Sequence, residues 1–274
     1  MTTPHDSLKA GDLAGAITAA TAAVKASPKS LEDRWLLAEL LIVSGQFDRA
    51  DAQFDTMMTL EPRVAVAAAP IRQLLRAEAA RRQFFDEGRV PELLDGAGQQ
   101  VRDRLEAFVL LRAGQQAEAG AAAARAEIAR PALGGTLTAG GVERSFTDCR
   151  DLDDVTAAVF EVLTQTGKYF WIEMARVASV EFEPPARPLD LVWRKARIVV
   201  PDAFDATVHM PAIYGTLTHA DDASRLGRRT EWIGGESDAV VGVGRRVYLL
   251  DGDEEIDMMG VESLRFNLAD PPSG

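Results

Sequence analysis

The 274-residue sequence is poor in the residues that build metal, redox and covalent-catalysis sites, with one cysteine, Cys149, and three histidines. A lone cysteine excludes an internal disulfide and fits a reducing compartment. Three scattered histidines and one thiol do not make a zinc set, which needs about four nitrogen or sulfur ligands at short spacings. Pairing Cys149 with His209 or His219 as nucleophile and base rests only on the presence of those residue types. A small, partly buried thiol at a strand end is the simpler reading. No apolar run is long enough to span a bilayer, so no membrane partner is expected. The opening MTTPHDSLKAGDL lacks the basic start and apolar stretch of a secretion signal, which points to the cytoplasm. Gly242-Val243-Gly244 lacks the third glycine and the following helix of a phosphate-cradling loop.

Positive charge is scarce in one half. Residues 1–140 hold 16 basic and 18 acidic residues, a net of −2, and residues 141–274 hold 14 and 24, a net of −10. The acidic half argues against nucleic acid as a partner. Asp148, Asp151, Asp153 and Asp154 do not follow the spacing of a calcium loop, which needs glycine at its sixth position and glutamate at its twelfth. Capping of a helix start explains them better, and Asp251-Gly252-Asp253-Glu254-Glu255 reads as a solvated turn. No metal and no cofactor are expected.

What the sequence does contain is a helical repeat. Ser30 to Pro62 reads as two antiparallel helices joined at Ser44-Gly45-Gln46, with Trp35, Leu36, Leu37, Leu40, Leu41 and Val43 forming an apolar stripe. Gly45, Phe47, Ala50, Phe54 and Pro62 fit the turn glycine, turn aromatic, contact alanine, core aromatic and closing proline of a tetratricopeptide (TPR) hairpin. Gly11, Leu13, Ala16 and Pro28 precede Gly45, Phe47, Ala50 and Pro62 by 34 residues, the TPR period. Gly114, Ala119 and Pro131 follow 69 residues after Gly45, Ala50 and Pro62, two periods plus one. The unit between them, Val64–Phe85, has no turn glycine, so the superhelix is irregular. Pro70 marks the start of its helix, over Ile71 to Phe85. Arg72 and Arg76 share one face of it, with Arg81 and Arg82 further along. They form either a solvated face or the basic lining of a groove that receives an acidic or helical partner peptide.

At Pro131 the composition changes. A glycine-rich linker over 134–140 separates a helical domain, 1–133, from a second domain, 141–274. The second domain reads as short strands: Val142–Phe146, Lys168–Ile172, Val177–Phe182, Leu191–Val200, Thr207–Met210, Gly242–Leu250 and Ile256–Phe266. An Asp-Gly turn lies at Asp251-Gly252. One helix is expected from Asp151 to about Gln165, its acidic start suited to the positive helix end. The fold class is α+β: an all-α TPR-like superhelix, then an α+β domain with a bent, mainly antiparallel sheet.

Five segments carry a resemblance: Phe146 to Asp151, Gly167 to Ile172, Arg187 to Arg194 (RPLDLVWR), Met210 to Tyr214, and Arg225 to Trp232 (RLGRRTEW). With the TPR-like half, they make the chain resemble the ImpE (TagJ) family of type VI secretion accessory proteins, over nearly its whole length. The motif residues are Asp148, Arg150, Asp151, Trp171, Trp193, Arg194, Gly227 and Glu231. Cys149 and Glu173 depart from the pattern, where a small residue and a proline are expected. The resemblance implies a cytoplasmic binding protein without enzymatic activity. Its implied partners are an N-terminal helix of the small subunit of the contractile sheath and, as a further candidate, the AAA+ ATPase that recycles the sheath.

Arg225, Arg228 and Arg229 beside Glu231 and Trp232 read in two ways: an internal ion-pair network, or a partner-carboxylate site with an aromatic anchor. Trp171 and Trp193 sit in strand-like runs, where core packing is the simpler reading. The candidate partner-binding residues are therefore Arg72, Arg76, Arg81, Arg225, Arg228 and Trp232. Two alternatives stand beside the adaptor: a hydrolase or metal-dependent enzyme using Asp148, Arg150 and Glu231, and a generic TPR scaffold for another partner.

Overall fold

Turn glycines at the repeat spacing set the helical half. The computed structural model describes residues 3–94, 96–215 and 220–268. Its helices are α1 (Pro4–Ala10), α2 (Leu13–Ala26), α3 (Leu31–Val43), α4 (Phe47–Leu60), α5 (Ala65–Glu87), α6 (Gln99–Arg112) and α7 (Gln116–Ala129). Gly11, Gly45 and Gly114 close three hairpins with φ of 85°, 77° and 76°, a left-handed conformation that other residues rarely adopt. Ala16, Ala50 and Ala119 are fully buried where paired helices approach. Phe54 packs edge-on against Trp35, with ring centroids 5.4 Å apart. Thr3, Asp12 and Ser30 accept from the backbone N–H three residues on, capping α1, α2 and α3.

The unit without a turn glycine is one long helix and no hairpin. Pro70 does not start α5 but lies inside it. The proline displaces one backbone bond, and the residue four before it, Val66, is 83% exposed, so water can satisfy the freed carbonyl. After α5 the chain runs extended and forms β1 (Glu92–Leu93), which pairs in parallel with a strand from the second half.

The strands are β2 (Gly135–Ala139), β3 (Val142–Phe146), β4 (Cys149–Asp151), β5 (Val159–Leu163), β6 (Tyr169–Glu173), β7 (Ser179–Phe182), β8 (Trp193–Val200), β9 (Phe204–Pro211), β10 (Thr230–Ile233), β11 (Val241–Gly244), β12 (Val247–Leu250), β13 (Glu254–Asp257) and β14 (Val261–Phe266). A short helical turn, α8 (Asp222–Arg225), precedes β10. The main sheet runs β1-β6-β5-β9-β8-β7-β14-β2-β3 and is antiparallel except at β1. A ribbon β10-β11 and a small sheet β13-β12-β4 flank it. The fold is mixed α+β.

Three further expectations are corrected. The segment 134–140 is not a linker: β2 lies within it and bonds to both β14 and β3. Asp151 to Gln165 is not a helix. Asp151 ends β4, a turn follows, and Val159–Leu163 is a strand buried at all five positions. A strand buried on both faces has no alternation to read. The acidic residues do cap backbone, but that of the turn: Asp153 N donates to Asp151 Oδ1, and Val155 N and Thr156 N donate to Asp153 Oδ1. Gly242–Leu250 is two strands, β11 and β12, in different sheets. Asp251 and Gly252, both at positive φ, join β12 to β13. Among the described residues, no helix is long and apolar enough to cross a membrane.

The two halves share one core. Leu37, Leu41, Phe54, Leu74 and Phe84 from the helices cluster with Val159, Tyr169, Trp171, Leu189 and Trp193 from the sheet half. Phe84 stacks on Phe108 at 4.1 Å and meets Trp171 edge-on at 4.9 Å. α3 packs on the 3-10 turn Pro188–Leu191, and α5 packs on β5 and β6.

Candidate functional site

Three of the motif residues, Asp151, Trp171 and Trp193, join a buried network at the seam between the halves. Glu78 and Arg81 lie one turn apart on α5, so both point at the sheet. Arg81 Nε and Nη2 meet Glu161 Oε1 and Oε2 at 2.8 and 3.0 Å, and Nη2 also donates to the Ile213 carbonyl at 2.9 Å. Arg246 bridges Glu161 and Asp151, and its Nε donates to the Pro211 carbonyl. Tyr214 Oη donates to Asp151 Oδ1 at 2.7 Å and accepts from Val247 N at 3.0 Å. Trp193 Nε1 donates to Glu78 Oε2 at 3.0 Å. Trp171 Nε1 donates to Tyr169 Oη, which donates to Glu161 Oε1, both at 2.5 Å. Glu78, Arg81, Asp151, Glu161 and Arg246 are all buried.

Electrostatics follow from that burial. Burial by itself would raise the Glu161 carboxyl, but Arg81 and Arg246 outweigh it and hold it at about 2. Burial raises the Glu78 carboxyl, with Glu161 adding to the rise and Arg81 and Trp193 opposing it. Burial beside Asp151 pushes Asp153 up to about 7.

A second network ties the end of the helical half to β4. Arg130 grips Asp148 with two bonds of 2.7 and 2.6 Å, and Leu133 N donates to the same carboxylate. Arg150 pairs with Asp154 at 2.6 Å and with Glu127 of α7 at 3.3 Å. Arg104 of α6 reaches Glu127 and the Asp154 carbonyl. Arg194 donates to the Met258 carbonyl and lies over the Phe182 ring at 4.5 Å.

The arginines expected along a groove do not line one together. Arg81 is buried in the seam, and Arg72 is held by Asp51 and Asp55 of α4. Arg76 is exposed beside Gln73. The inward faces of α3, α5 and α6 are covered by the sheet half: Arg187 pairs with buried Glu39, and Gln100 donates to Glu173. A superhelix groove is therefore filled from within the chain, because its apolar lining is what the short-stranded sheet needs on its second face.

The RLGRRTEW segment is divided in the same way. Arg228 Nη2 donates to the Leu8 and Lys9 carbonyls at the end of α1. Arg229 pairs with Asp221 and Glu231 at the surface. Gly227, at φ 62°, lies so close to Arg245 and Ile213 that a Cβ would sit 2.9 Å from Arg245 Nε. Trp232 is 38% exposed, its ring edge against Tyr214. Arg225 alone of these arginines makes no side-chain bond among the described residues.

A family model described as ImpE protein matches residues 143–265, and a tetratricopeptide repeat model matches residues 7–69. The chain is 31% identical over 248 residues to the type VI secretion system accessory component TagJ of Pseudomonas aeruginosa, covering 90% of this chain and 85% of the relative. The chain belongs to the ImpE family. A crystal structure of a Vibrio parahaemolyticus protein shares the fold, with a TM-score of 0.87, 26% identity and coverage of 97% and 98% of the two chains.

Set in this ImpE-family chain, the residues considered for hydrolysis belong to separate pairs: Asp148 with Arg130, Arg150 with Asp154, and Glu231 with Arg229. Among the described residues, no group of three or more His, Cys, Asp or Glu is placed to hold a metal. Cys149 is buried in the second apolar cluster, and burial raises its thiol far above the ordinary value. His209 is held down to about 4 by burial and Lys195, and His219 lies outside the described residues. Reading the sequence missed Glu78, Glu161 and Arg246, and placed Tyr214 in a resemblance segment without singling it out as a site residue. The available signal was charge inside an apolar run, the lone Glu161 in AAVFEVL and the Arg245-Arg246 pair in VGVGRRVYLL.

Proposed function

We propose that the chain is a non-enzymatic, cytoplasmic adaptor of a type VI secretion system. It binds an N-terminal helix of the small subunit of the contractile sheath, with the sheath-recycling AAA+ ATPase as a second contact. Likeness over 90% of the chain to an accessory component of such a system carries this reading. The repeat half supports it, since stacked helical hairpins are a common platform for partner helices. The ionic clusters around Asp148, Arg150 and Asp151 support it too, because they pair internally to join the two halves. With the inward faces of α3, α5 and α6 covered, the partner helix docks elsewhere on the surface.

Calorimetric titration of the full chain with a synthetic peptide of the cognate sheath helix tests the reading. Binding at about micromolar strength, near −8 kcal/mol, is expected. No heat up to millimolar peptide would remove the sheath helix as a partner, and the same titration against the ATPase tests the second contact.

A further inference from the structure

The structure assigns one surface cavity, at the Arg225 guanidinium, as a receptor for a single carboxylate side chain of a partner polypeptide. The cavity is about 180 Å³ and lies between Ser44 and Gly45 at the α3–α4 turn, Arg82, Phe85 and Asp86 of α5, and Gly215 and Arg225. A smaller cleft continues from it at Gly45 and Arg225, lined by Phe47, Trp193 and Tyr214.

Arg225 Nε is enclosed yet has no acceptor, and among the described residues the side chain makes no ion pair. An enclosed guanidinium donor without a partner is costly, so a geometry that keeps one is expected to meet an acceptor when occupied. Arg82 stands opposite with only a long contact, 3.8 Å, to Asp86, and its guanidinium lies over the Phe47 ring at 5.4 Å. Two arginines against one aspartate leave the cavity a net charge of +1 in a protein of net −12. Planar guanidinium forks match carboxylates.

Size narrows the ligand. The volume lies below the roughly 300–1,000 Å³ of small-molecule sites but holds one short acidic side chain. At Gly215 the wall lies so close to Phe85 that a Cβ would fall 2.0 Å from its ring. The aromatic rings of the adjoining cleft suit the methylenes of a glutamate better than a bare oxyanion. This assignment rests on the adaptor reading for the polypeptide nature of its ligand.

The test is an NMR titration of the full chain with N-acetyl-glutamate amide, observing arginine Nε–Hε signals. The Arg225 signal is expected to shift and saturate in the millimolar range, and Arg225→Gln to remove the response. Arg225→Lys, which keeps the charge without the fork, is expected to weaken binding about tenfold or more. An Arg225 signal unmoved by the probe would overturn the assignment, as would equal binding to Arg225→Gln. Inorganic phosphate binding more tightly than the capped glutamate would overturn the carboxylate class. None of these outcomes depends on the sheath peptide, so loss of the adaptor reading and loss of this site are separately visible.

Discussion

Arg81 and Glu161, 80 residues apart in sequence, face each other through two hydrogen bonds in the buried seam between α5 and β5. Glu161 also answers to Arg246, so one carboxylate holds two buried guanidinium groups. Removing the shared carboxylate leaves Arg81 with only a 3.4 Å contact to Glu78 and Arg246 with Asp151 alone. Glu161→Gln is expected to destabilise the protein by about 3–5 kcal/mol, read from the midpoint of urea unfolding. A change within about 0.5 kcal/mol would mean that the seam is a solvated contact.

Acid stability should carry the same signature. The folded value of Glu161, about 2, lies below its ordinary value of 4.5, so its contribution is present above about pH 4.5 and is lost as pH falls toward 2. Asp153, pushed up to about 7, works the opposite way: the fold favours its protonated form, and that contribution is lost as pH rises through 7. The urea midpoint is expected to fall steeply from pH 4.5 to 2, and less steeply in Glu161→Gln. Parallel slopes in the two proteins would remove Glu161 as the cause.

Gly120 offers a test whose sign is opposite to helix propensity. It lies inside α7, where alanine ordinarily stabilises by about 1 kcal/mol. A Cβ there would fall 2.0 Å from the Ser237 carbonyl oxygen, which is backbone and cannot swing away. Gly120→Ala is expected to lower the melting temperature by several degrees, a loss of about 1–3 kcal/mol. A rise in melting temperature would show that the loop at Ser237 moves freely.

The shared core bears on whether the halves fold apart. We propose that residues 1–133 alone do not form a cooperative unit, since Leu37, Leu41, Leu74 and Phe84 would lose their partners across the seam. Circular dichroism of that fragment is expected to show helix without a sharp thermal transition. A two-state transition would mean that the helical half is an independent domain.

The sequence alone determined the helical hairpins. The 34-residue spacing of Gly11 and Gly45 and the spacing of Gly114, two periods plus one after Gly45, fix where left-handed turns occur, and helix pairs follow from local chemistry. The short strands and the Asp251-Gly252 turn were legible for the same reason. Tertiary structure alone decided that the helices close over the sheet, which covers the inward faces of α3, α5 and α6. Arg81 reads as one more surface arginine until Glu161 meets it, and Val159–Leu163 reads as helix until both its faces are covered. Which distant charges pair, and that Arg225 Nε has no acceptor among the described residues, depends on contacts between residues tens to hundreds of positions apart, and local patterns of hydrophobicity carry no record of those contacts.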